Sequence, residues 1–413
     1  MRSIRYISAL AWVSIAWAAE PLRLADLVAE ALANNREIQA ARKQYEAARQ
    51  RPARESSLPD PLLSVGYASN GGPLPGQGLG KDPTSNIGLM VSQEIPYPGK
   101  RKLRGDIAMK EAEMELQQYR AMELSVRSRV SQAFHRLHHT YASLKILGQG
   151  KDVLGDVIRV SEARYVAGKT GQQDILRAQT QLSMLETRVI LMRQDRAVAE
   201  AELNSLLNRK PGSSIGEPAN EESIALPLTL DDLLSKGEDA APERRRGEKT
   251  IQRSELAVNL ARKEFHPDYT VAAGYFNQGG MAPMYQVRVD IPIRLHAESK
   301  QRPALNEQVD LLNGARRTYE ASGQSLQFRV REQYSAAETA WRLRTLYLDT
   351  ILPQSGLTVE SSLAAYQSGA ADLASVLMNI GAKLDVEEQL HEQELNYALA
   401  WARLEELTGV ELK

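Results

Sequence analysis

Three of the six histidines lie close together in the sequence, at His135, His138 and His139. On a helix, spacings of three and four residues place side chains on one face, and imidazole is a ligand that several transition metals accept. No acidic residue and no further histidine stands nearby in the sequence. Histidines that pack without a metal also explain the cluster, and we therefore expect no metal site. The sequence alone does not decide whether these three side chains bind a metal.

The rest of the sequence offers no pattern for catalysis. The chain contains no cysteine, which excludes thiol nucleophiles, disulfides and iron–sulfur clusters. The G-x-S-x-G, H-E-x-x-H and phosphate-loop motifs are absent, and the glycine-rich stretch 70–80 precedes a predicted strand rather than a helix. We therefore expect neither an enzyme nor a cofactor. With 51 basic and 52 acidic residues, the chain also lacks the basic excess that nucleic-acid binding requires.

The sequence Tyr-x-x-Gly occurs twice, at Tyr165 and Gly168 and again at Tyr366 and Gly369. Glycine permits the tight bend that a helical hairpin needs. Asp174 and Asp372 follow the two glycines within a few residues. A carboxylate at such a position either caps the next helix or hydrogen-bonds across the bend as part of a gate, and the sequence leaves both readings open.

The first 18 residues have the features of a secretory signal peptide. Arg2 and Arg5 precede an apolar run that ends in the A-x-A sequence Ala16-Trp17-Ala18. We expect residues 1–18 to be removed and, in the absence of cysteine, no N-terminal lipid anchor. The mature chain has no apolar run of 18 or more residues, so a membrane-inserted form would have to use strands.

The mature sequence repeats itself once. VSQEIP at 91–96 returns as VRVDIP at 287–292, and YVAG at 165–168 returns as YQSG at 366–369. These and two further matches occur in the same order, each displaced by about 200 residues. We predict two tandem copies, 19–212 and 213–413, each with a leading helix, two strands and a long helical hairpin.

Each copy contains two segments in which apolar residues alternate with small or polar ones. The predicted strands cover about 62–69 and 86–95 in the first copy and 269–277 and 284–293 in the second. Val65 and Val287 belong to the apolar face, whereas Arg288 and Asp290 belong to the other. Segments of about ten residues with this alternation are typical of barrel strands that face lipid outward and water inward. Arg288 and Asp290 are therefore candidates for a barrel lumen; a soluble hairpin packed on helices is the alternative.

Long helical segments follow each strand pair. From Ile175 to Leu206, positions spaced by three and four residues are apolar except for Arg196, as in the seam of a coiled coil. The second copy repeats these steps from Val386 to Leu407, with Gln393 as its exception. We therefore predict that each copy ends in a long helical hairpin.

Four strands per chain cannot close a transmembrane barrel, which needs about eight, and an open edge would leave backbone groups unpaired in lipid. Two copies of the chain would give eight strands and an interior filled by side chains, whereas three would give twelve strands and room for a lumen. The small and polar inward residues favour the trimer with an open pore.

Over nearly the whole mature chain, the sequence resembles the TolC-like outer membrane efflux proteins. The resemblance rests on the helix containing Leu24 and Leu27, the two strand pairs, the tandem repeat and the two Tyr-x-x-Gly sequences. The stretch QEIPYPGKR at 93–101 resembles the form common in the heavy-metal (Cus/Czc-type) branch. The resemblance implies an α+β membrane protein, in which a trimeric 12-stranded transmembrane β-barrel continues into a long α-helical coiled-coil barrel in the periplasm.

The same resemblance implies a function. The chain would be the outer membrane component of a tripartite efflux system in a Gram-negative bacterium. It would serve as a passive exit duct for an inner-membrane pump of the RND type and its periplasmic adaptor (membrane fusion) protein, with heavy-metal cations as cargo. The implied adaptor-docking residues at the periplasmic tip are Tyr165, Gly168, Tyr366 and Gly369, and the implied gate residues are Asp174, Tyr366 and Asp372. Ser375 and Met378 stand where the family has acidic gate residues, which argues against a strongly acidic entrance.

Two expectations about the hairpin bends follow. Gly168 and Gly369 should have backbone conformations that a Cβ disfavours. In a closed resting entrance, Asp174 of one hairpin should hydrogen-bond to Tyr366 of the other.

The alternative function is a periplasmic adaptor or coiled-coil scaffold that never enters a membrane; the presence of two hairpins, each with an inserted strand pair, argues against it.

Overall fold

The computed structural model describes residues 22–70, 72–220 and 224–412, so the predicted signal peptide 1–18 lies outside the described residues. The first half of the chain forms α1 (Leu24–Asn34), α2 (Arg36–Ala48), α3 (Arg51–Ser56), β1 (Leu62–Ala68), β2 (Asn86–Ile95), α4 (Lys100–Val166) and α5 (Gln172–Leu206). The second half forms α6 (Leu230–Ala240), α7 (Pro242–Lys263), β3 (Tyr269–Asn277), β4 (Met284–Asp290), α8 (Ala297–Leu346), α9 (Leu352–Ser368) and α10 (Leu373–Thr408). Helices, a strand pair and a helical hairpin thus follow one another twice, in the predicted order. The single leading helix predicted for each copy is instead three helices in the first half and two in the second.

Proline and glycine mark where the long helices begin, bend and end. Helix α4 starts directly after Pro98 and Gly99 and continues without a proline for 67 residues. Between α8 and α9 the backbone forms a π-helical turn, Tyr347–Ile351, just before Pro353. Since proline has no amide hydrogen and its ring crowds the carbonyl four residues earlier, a local widening of the helix there is expected.

The chain divides into two compact units, and each draws on both halves of the sequence. The first unit comprises Met1–Asn35, Val126–Pro227 and Gln333–Arg403, and the second comprises Arg36–Ser125, Leu228–Glu332 and Leu404–Lys413. Three of the five boundaries fall inside α4, α8 and α10, so the two units do not coincide with the two predicted repeats.

In the first unit, four helices share one apolar core. Helices α4 and α5 contribute Leu147, Leu154 and Leu185, and helices α9 and α10 contribute Tyr366 and Ile380 among others. Burial of each such side chain stabilises the unit by about 1.5 to 3 kcal/mol. The predicted seam on α5 is largely buried. Its one charged member, Arg196, lies over the ring of Tyr141 at 4.3 Å and pairs with Glu200, so the apolar contact surface is not interrupted by an isolated charge.

In the second unit, the four strands form one antiparallel sheet in the order β1-β2-β3-β4. The strands of the two halves meet where β2 pairs with β3, with Val91 opposite Ala273. All four predicted strands are confirmed, although β4 ends at Asp290, three residues before the predicted end. No described helix has a segment long and apolar enough to cross a bilayer.

Candidate functional site

One face of the sheet is apolar and open to the surroundings. Strand pairing places Leu63, Val65 and Tyr67 of β1 in line with apolar residues of the other three strands. The exposed members of this face are Leu63, Val65, Ile87, Leu89, Val91, Val271, Tyr275, Tyr285, Val287 and Val289, and Val287 reaches 79% exposure. Contiguous apolar patches of this kind mark surfaces that contact a membrane or another protein.

The opposite face carries small and polar residues. Arg288 and Asp290 are neighbours on this face of β4 and form an ion pair of 3.0 Å between Nε and Oδ2. Both side chains are half exposed, so the pair contributes little to stability. Gly88 lies opposite Phe276 in the register, and a Cβ there would overlap the Phe276 ring. The two lumen candidates therefore lie on the face that is not apolar.

Both outer edges of the sheet lack a partner strand within the described residues. Strand β1 pairs only with β2, and β4 pairs only with β3. The free edges present backbone N–H and C=O groups that would form hydrogen bonds with a further strand. A second copy of the chain could supply that strand, because β1 and β4 stand at opposite edges.

The junction between β2 and α4 is held by a buried lysine that the sequence analysis did not identify as functional or structural. Lys100 is fully buried, and its Nζ lies 2.9 Å from Glu264, 3.0 Å from Asp268 and 3.0 Å from the carbonyl oxygen of His266. Burial raises the pKa of Asp268, but the hydrogen bonds from the Tyr97 amide and from Lys100 outweigh it and hold the pKa below its ordinary value. Lys100 belongs to the QEIPYPGKR stretch, and its partners lie more than 160 residues away in the sequence.

The two hairpin bends lie in the first unit, and their glycines have the predicted conformation. The φ angle is +68° at Gly168 and +86° at Gly369, so the expectation of a left-handed backbone is confirmed. Tyr165 is 47% exposed, whereas Tyr366 is 3% exposed within the helical core. The same sequence spacing therefore produces one open and one buried tyrosine.

Tyr366 has partners other than the predicted one. Its hydroxyl lies 3.1 Å from Ser161 Oγ, and Arg164 donates to its backbone carbonyl while lying 4.7 Å over its ring. The Asp174 carboxylate accepts a hydrogen bond from the Thr170 hydroxyl instead. The described chain therefore does not form the Asp174–Tyr366 hydrogen bond: the Tyr366 ring points into the core against α4, and Asp174 bonds within its own bend. Their contact in a closed entrance stays a prediction.

Asp372 has the role of a helix cap. Its carboxylate accepts hydrogen bonds from the backbone amide of Ser375, at 3.0 Å, and from the Ser375 hydroxyl. The hydroxyl and then the amide hold the pKa of Asp372 below its ordinary value of 3.8. Of the two readings left open by the sequence, the structure shows the capping one within the chain.

The three neighbouring histidines do not gather metal ligands. His135 packs edge-on against Phe134, and burial, followed by the proximity of His138, lowers its pKa to about 4. Burial also lowers the pKa of His139, next to His391. Across residues 22–70, 72–220 and 224–412, no group of three or more histidine and carboxylate side chains is arranged to hold a metal ion.

Comparison with known proteins gives a family-model match within the first half of the chain and the fold of the described chain. Residues 27–209 match the model of the outer membrane efflux protein family. No curated protein matches the sequence significantly.

Solved structures match over almost the full length. The outer-membrane channel OprN is 16% identical with a TM-score of 0.79, covering 94% of this chain and 90% of its own. VceC from Vibrio cholerae is 15% identical with a TM-score of 0.78, covering 94% of this chain and 97% of its own. CusC, a transmembrane channel, is 17% identical with a TM-score of 0.76, covering 92% and 91%. The resemblance to TolC-like proteins is thereby confirmed: residues 27–209 match the outer membrane efflux protein family model, and the described chain has the fold of these outer-membrane channels.

Proposed function

We propose that three copies of this chain form the exit duct of a tripartite efflux system in the outer membrane of a Gram-negative bacterium. The observation that carries the proposal is the four-stranded sheet, with its exposed apolar face and two free edges. Three such sheets joined edge to edge supply twelve strands, which pair every edge and enclose a lumen. The apolar face then meets lipid, and the face with Arg288 and Asp290 meets water.

The physical reason for assembly is the cost of an open edge. In hydrocarbon, each unpaired backbone group costs several kcal/mol, so a single sheet with two free edges is not a stable membrane structure. Strands β1 and β4 run antiparallel to each other in the order β1-β2-β3-β4, so β4 of one copy fits β1 of the next as another antiparallel pair. Closure thus needs no change in the order or direction of the strands described for one chain.

The partners follow from the same proposal. The helical bends at Gly168 and Gly369 would meet a periplasmic adaptor, which links the duct to an inner-membrane pump of the RND type. The duct itself would be passive and would have no catalytic role, since transport energy would come from the pump. Heavy-metal cations are the cargo that the QEIPYPGKR stretch suggests, and the pump and adaptor would select it.

Cysteine cross-linking tests the proposed assembly, because the natural chain has no cysteine. Ser64→Cys on β1 would be combined with Gln286→Cys or Arg288→Cys on β4, both on the polar face, to sample two registers. Oxidation in isolated outer membranes should give a covalent species of three chains for at least one pair. Each single-cysteine variant is the matched control and should not give the three-chain species.

The same experiment addresses the alternative of a periplasmic adaptor or coiled-coil scaffold. In that case the chain would fractionate without detergent, and no pair on β1 and β4 would join three chains. A soluble monomer in the absence of detergent would overturn the proposed duct.

A further inference from the structure

A cavity of about 910 Å³ lies in the second unit, between α3, α4, α7 and the start of α8. Its apolar lining comes from three of these helices, through Ile107 of α4, Leu260 of α7 and Ala304 of α8, among others. Several hundred cubic ångströms is the usual size of a small-molecule site, and here six of the lining residues are apolar whereas the other eleven are polar or charged. The cavity is therefore large enough for an organic ligand rather than only for a small ion.

Six basic and three acidic side chains line the same cavity, a formal excess of three positive charges. Each acidic group has an arginine partner within the cavity lining: the pairs are Arg54–Glu55, Arg253–Glu111 and Arg104–Glu264. Glu264 is also bound by the buried Lys100. The acidic side chains are thus already neutralised and do not offset the remaining cations.

The remaining cations are Arg51, Arg294 and Lys300. Their side chains have no acidic partner within the described residues, and Nε of Arg294 is buried without a hydrogen-bond acceptor. A buried donor without an acceptor is destabilising, so an anionic acceptor placed there would remove that penalty as well as add an attraction. Arg294 and Lys300 flank the beginning of α8 and reach the cavity from one side.

A buried amide completes the polar lining. Gln301 is 7% exposed, follows Lys300 on α8 and faces the cavity. Within the described chain its side chain makes no protein hydrogen bond, so its amide hydrogens are available to a ligand oxygen. A neutral donor next to two cations suits an oxyanion with several acceptor oxygens.

We propose that this cavity binds an amphiphile whose phosphate head group carries a net negative charge, with the phosphate held by Arg294, Lys300 and Gln301 and the apolar tail against Ile107, Leu260 and Ala304. Arginine and lysine are the usual partners of phosphate, and the apolar residues of the lining favour an amphiphile over inorganic phosphate. The ligand has two possible sources, a membrane phospholipid or a water-soluble phosphate amphiphile. The site lies within the second unit, so this proposal does not depend on barrel formation.

The test uses the full chain purified in neutral detergent, with native mass spectrometry to count bound molecules. The probes are phosphatidylglycerol, phosphatidylcholine, dodecyl phosphate and inorganic phosphate. The double variant Arg294→Gln/Lys300→Gln should weaken binding of the anionic probes by about tenfold or more for each charge removed. The matched control Lys102→Gln/Arg317→Gln removes the same charge from helices α4 and α8 outside the cavity, and it should bind as the natural chain does.

A second variant separates the tail from the head group. Ala304→Trp places a large ring in the apolar lining and should reduce binding of both amphiphiles, while weak binding of inorganic phosphate should persist. Selective binding of phosphatidylglycerol identifies a phospholipid site, and selective binding of dodecyl phosphate identifies a soluble ligand. Equal binding of phosphatidylcholine and phosphatidylglycerol, or no change in either variant, would overturn the proposal.

Discussion

The two hairpin bends have the same sequence spacing and the same glycine conformation, yet their surroundings differ. Gly168 and Gly369 both have positive φ angles. In the first bend, Tyr165 is exposed and the adjacent Val166 is 87% exposed. In the second bend, Tyr366 is buried and bonded to α4. A shared local motif therefore determines the turn but not the environment of its tyrosine.

The difference comes from a residue outside the motif. Arg164 precedes the first bend and packs on the ring of Tyr366, where it also donates to backbone carbonyls of Tyr366 and Gln367. At the corresponding place in the second copy stands Ala365, which cannot reach across in return. Arg164 thus contacts the second bend, whereas the residue at its place in the second copy, Ala365, makes no such contact with the first.

This asymmetry sharpens the proposed docking surface. Tyr165 and Val166 are exposed beside a tight turn and are available to a partner helix, whereas the Tyr366 side chain is already packed in the core. We therefore expect Tyr165 and Val166 to contact the adaptor and Tyr366 to support the hairpins from within.

The largest expected effect comes from removing the two tyrosine side chains one at a time. Tyr366→Ala should lower the free energy of unfolding by about 3 to 5 kcal/mol, because it opens a cavity in a packed core. Tyr165→Ala should change it by about 0.5 kcal/mol or less, because the side chain is exposed. Urea unfolding followed by circular dichroism measures both. Equal losses of unfolding free energy in the two variants would show that the bends do not differ as described.

The next effect concerns the arginine that distinguishes the bends. Arg164→Ala should lower the free energy of unfolding by about 1.5 to 3 kcal/mol, since it removes hydrogen bonds to carbonyls at the end of α9 and the contact with the Tyr366 ring. Arg159→Ala is the matched control, because that side chain is on the same helix and largely exposed. Comparable destabilisation by both would contradict a specific role for Arg164.

Substitutions of the two bend glycines should have smaller effects on stability but a large effect on function. Gly168→Ala and Gly369→Ala should each cost about 1 to 2 kcal/mol, because both positions have left-handed backbone. Bulky residues at both positions should abolish efflux, measured as resistance of cells, while export and assembly persist. Gly148→Ala is a suitable control, since it is helical and a Cβ there meets no atom within 4 Å. Full resistance in the bulky double variant would argue against docking at the bends.

The smallest effect is the pH dependence of the Asp372 cap. Because its pKa is lower in the folded chain than its ordinary value of 3.8, the cap stabilises above that value and is lost as the pH falls through the folded pKa. Asp372→Asn keeps an acceptor oxygen, and its melting temperature should no longer change over the pH range in which Asp372 titrates. Asp372→Ala should melt lower than the natural chain at neutral pH and approach it in acid. Melting curves from neutral to acidic pH distinguish these outcomes. The same pH dependence of the melting temperature in the natural chain and in both variants would exclude the cap.

The sequence predicted those parts of the fold that local patterns determine. Strand β3 was predicted at its observed bounds because alternation of apolar and small residues has a period of two, and the glycine conformations followed from the need for a tight bend. The apolar and polar faces of the sheet were correctly separated for the same reason.

Contacts between distant segments were not accessible in this way. The expected Asp174–Tyr366 bond was inferred from both residues lying near the bends, but proximity along a helix does not determine which way a side chain points. The partners of Lys100 and Arg164 are more than 160 residues away, and no spacing in the sequence indicates them. Their positions depend on how the two copies pack together.

The central claim is that the apolar face of the sheet meets lipid while the opposite face meets water. A bimane label on Val287→Cys or Arg288→Cys, in a chain without other cysteines and reconstituted with brominated phospholipid, tests this claim at two adjacent positions on opposite faces. We predict strong quenching by the brominated lipid at position 287 and weak quenching at position 288. Equal quenching at the two positions, or no quenching at either, would contradict the account.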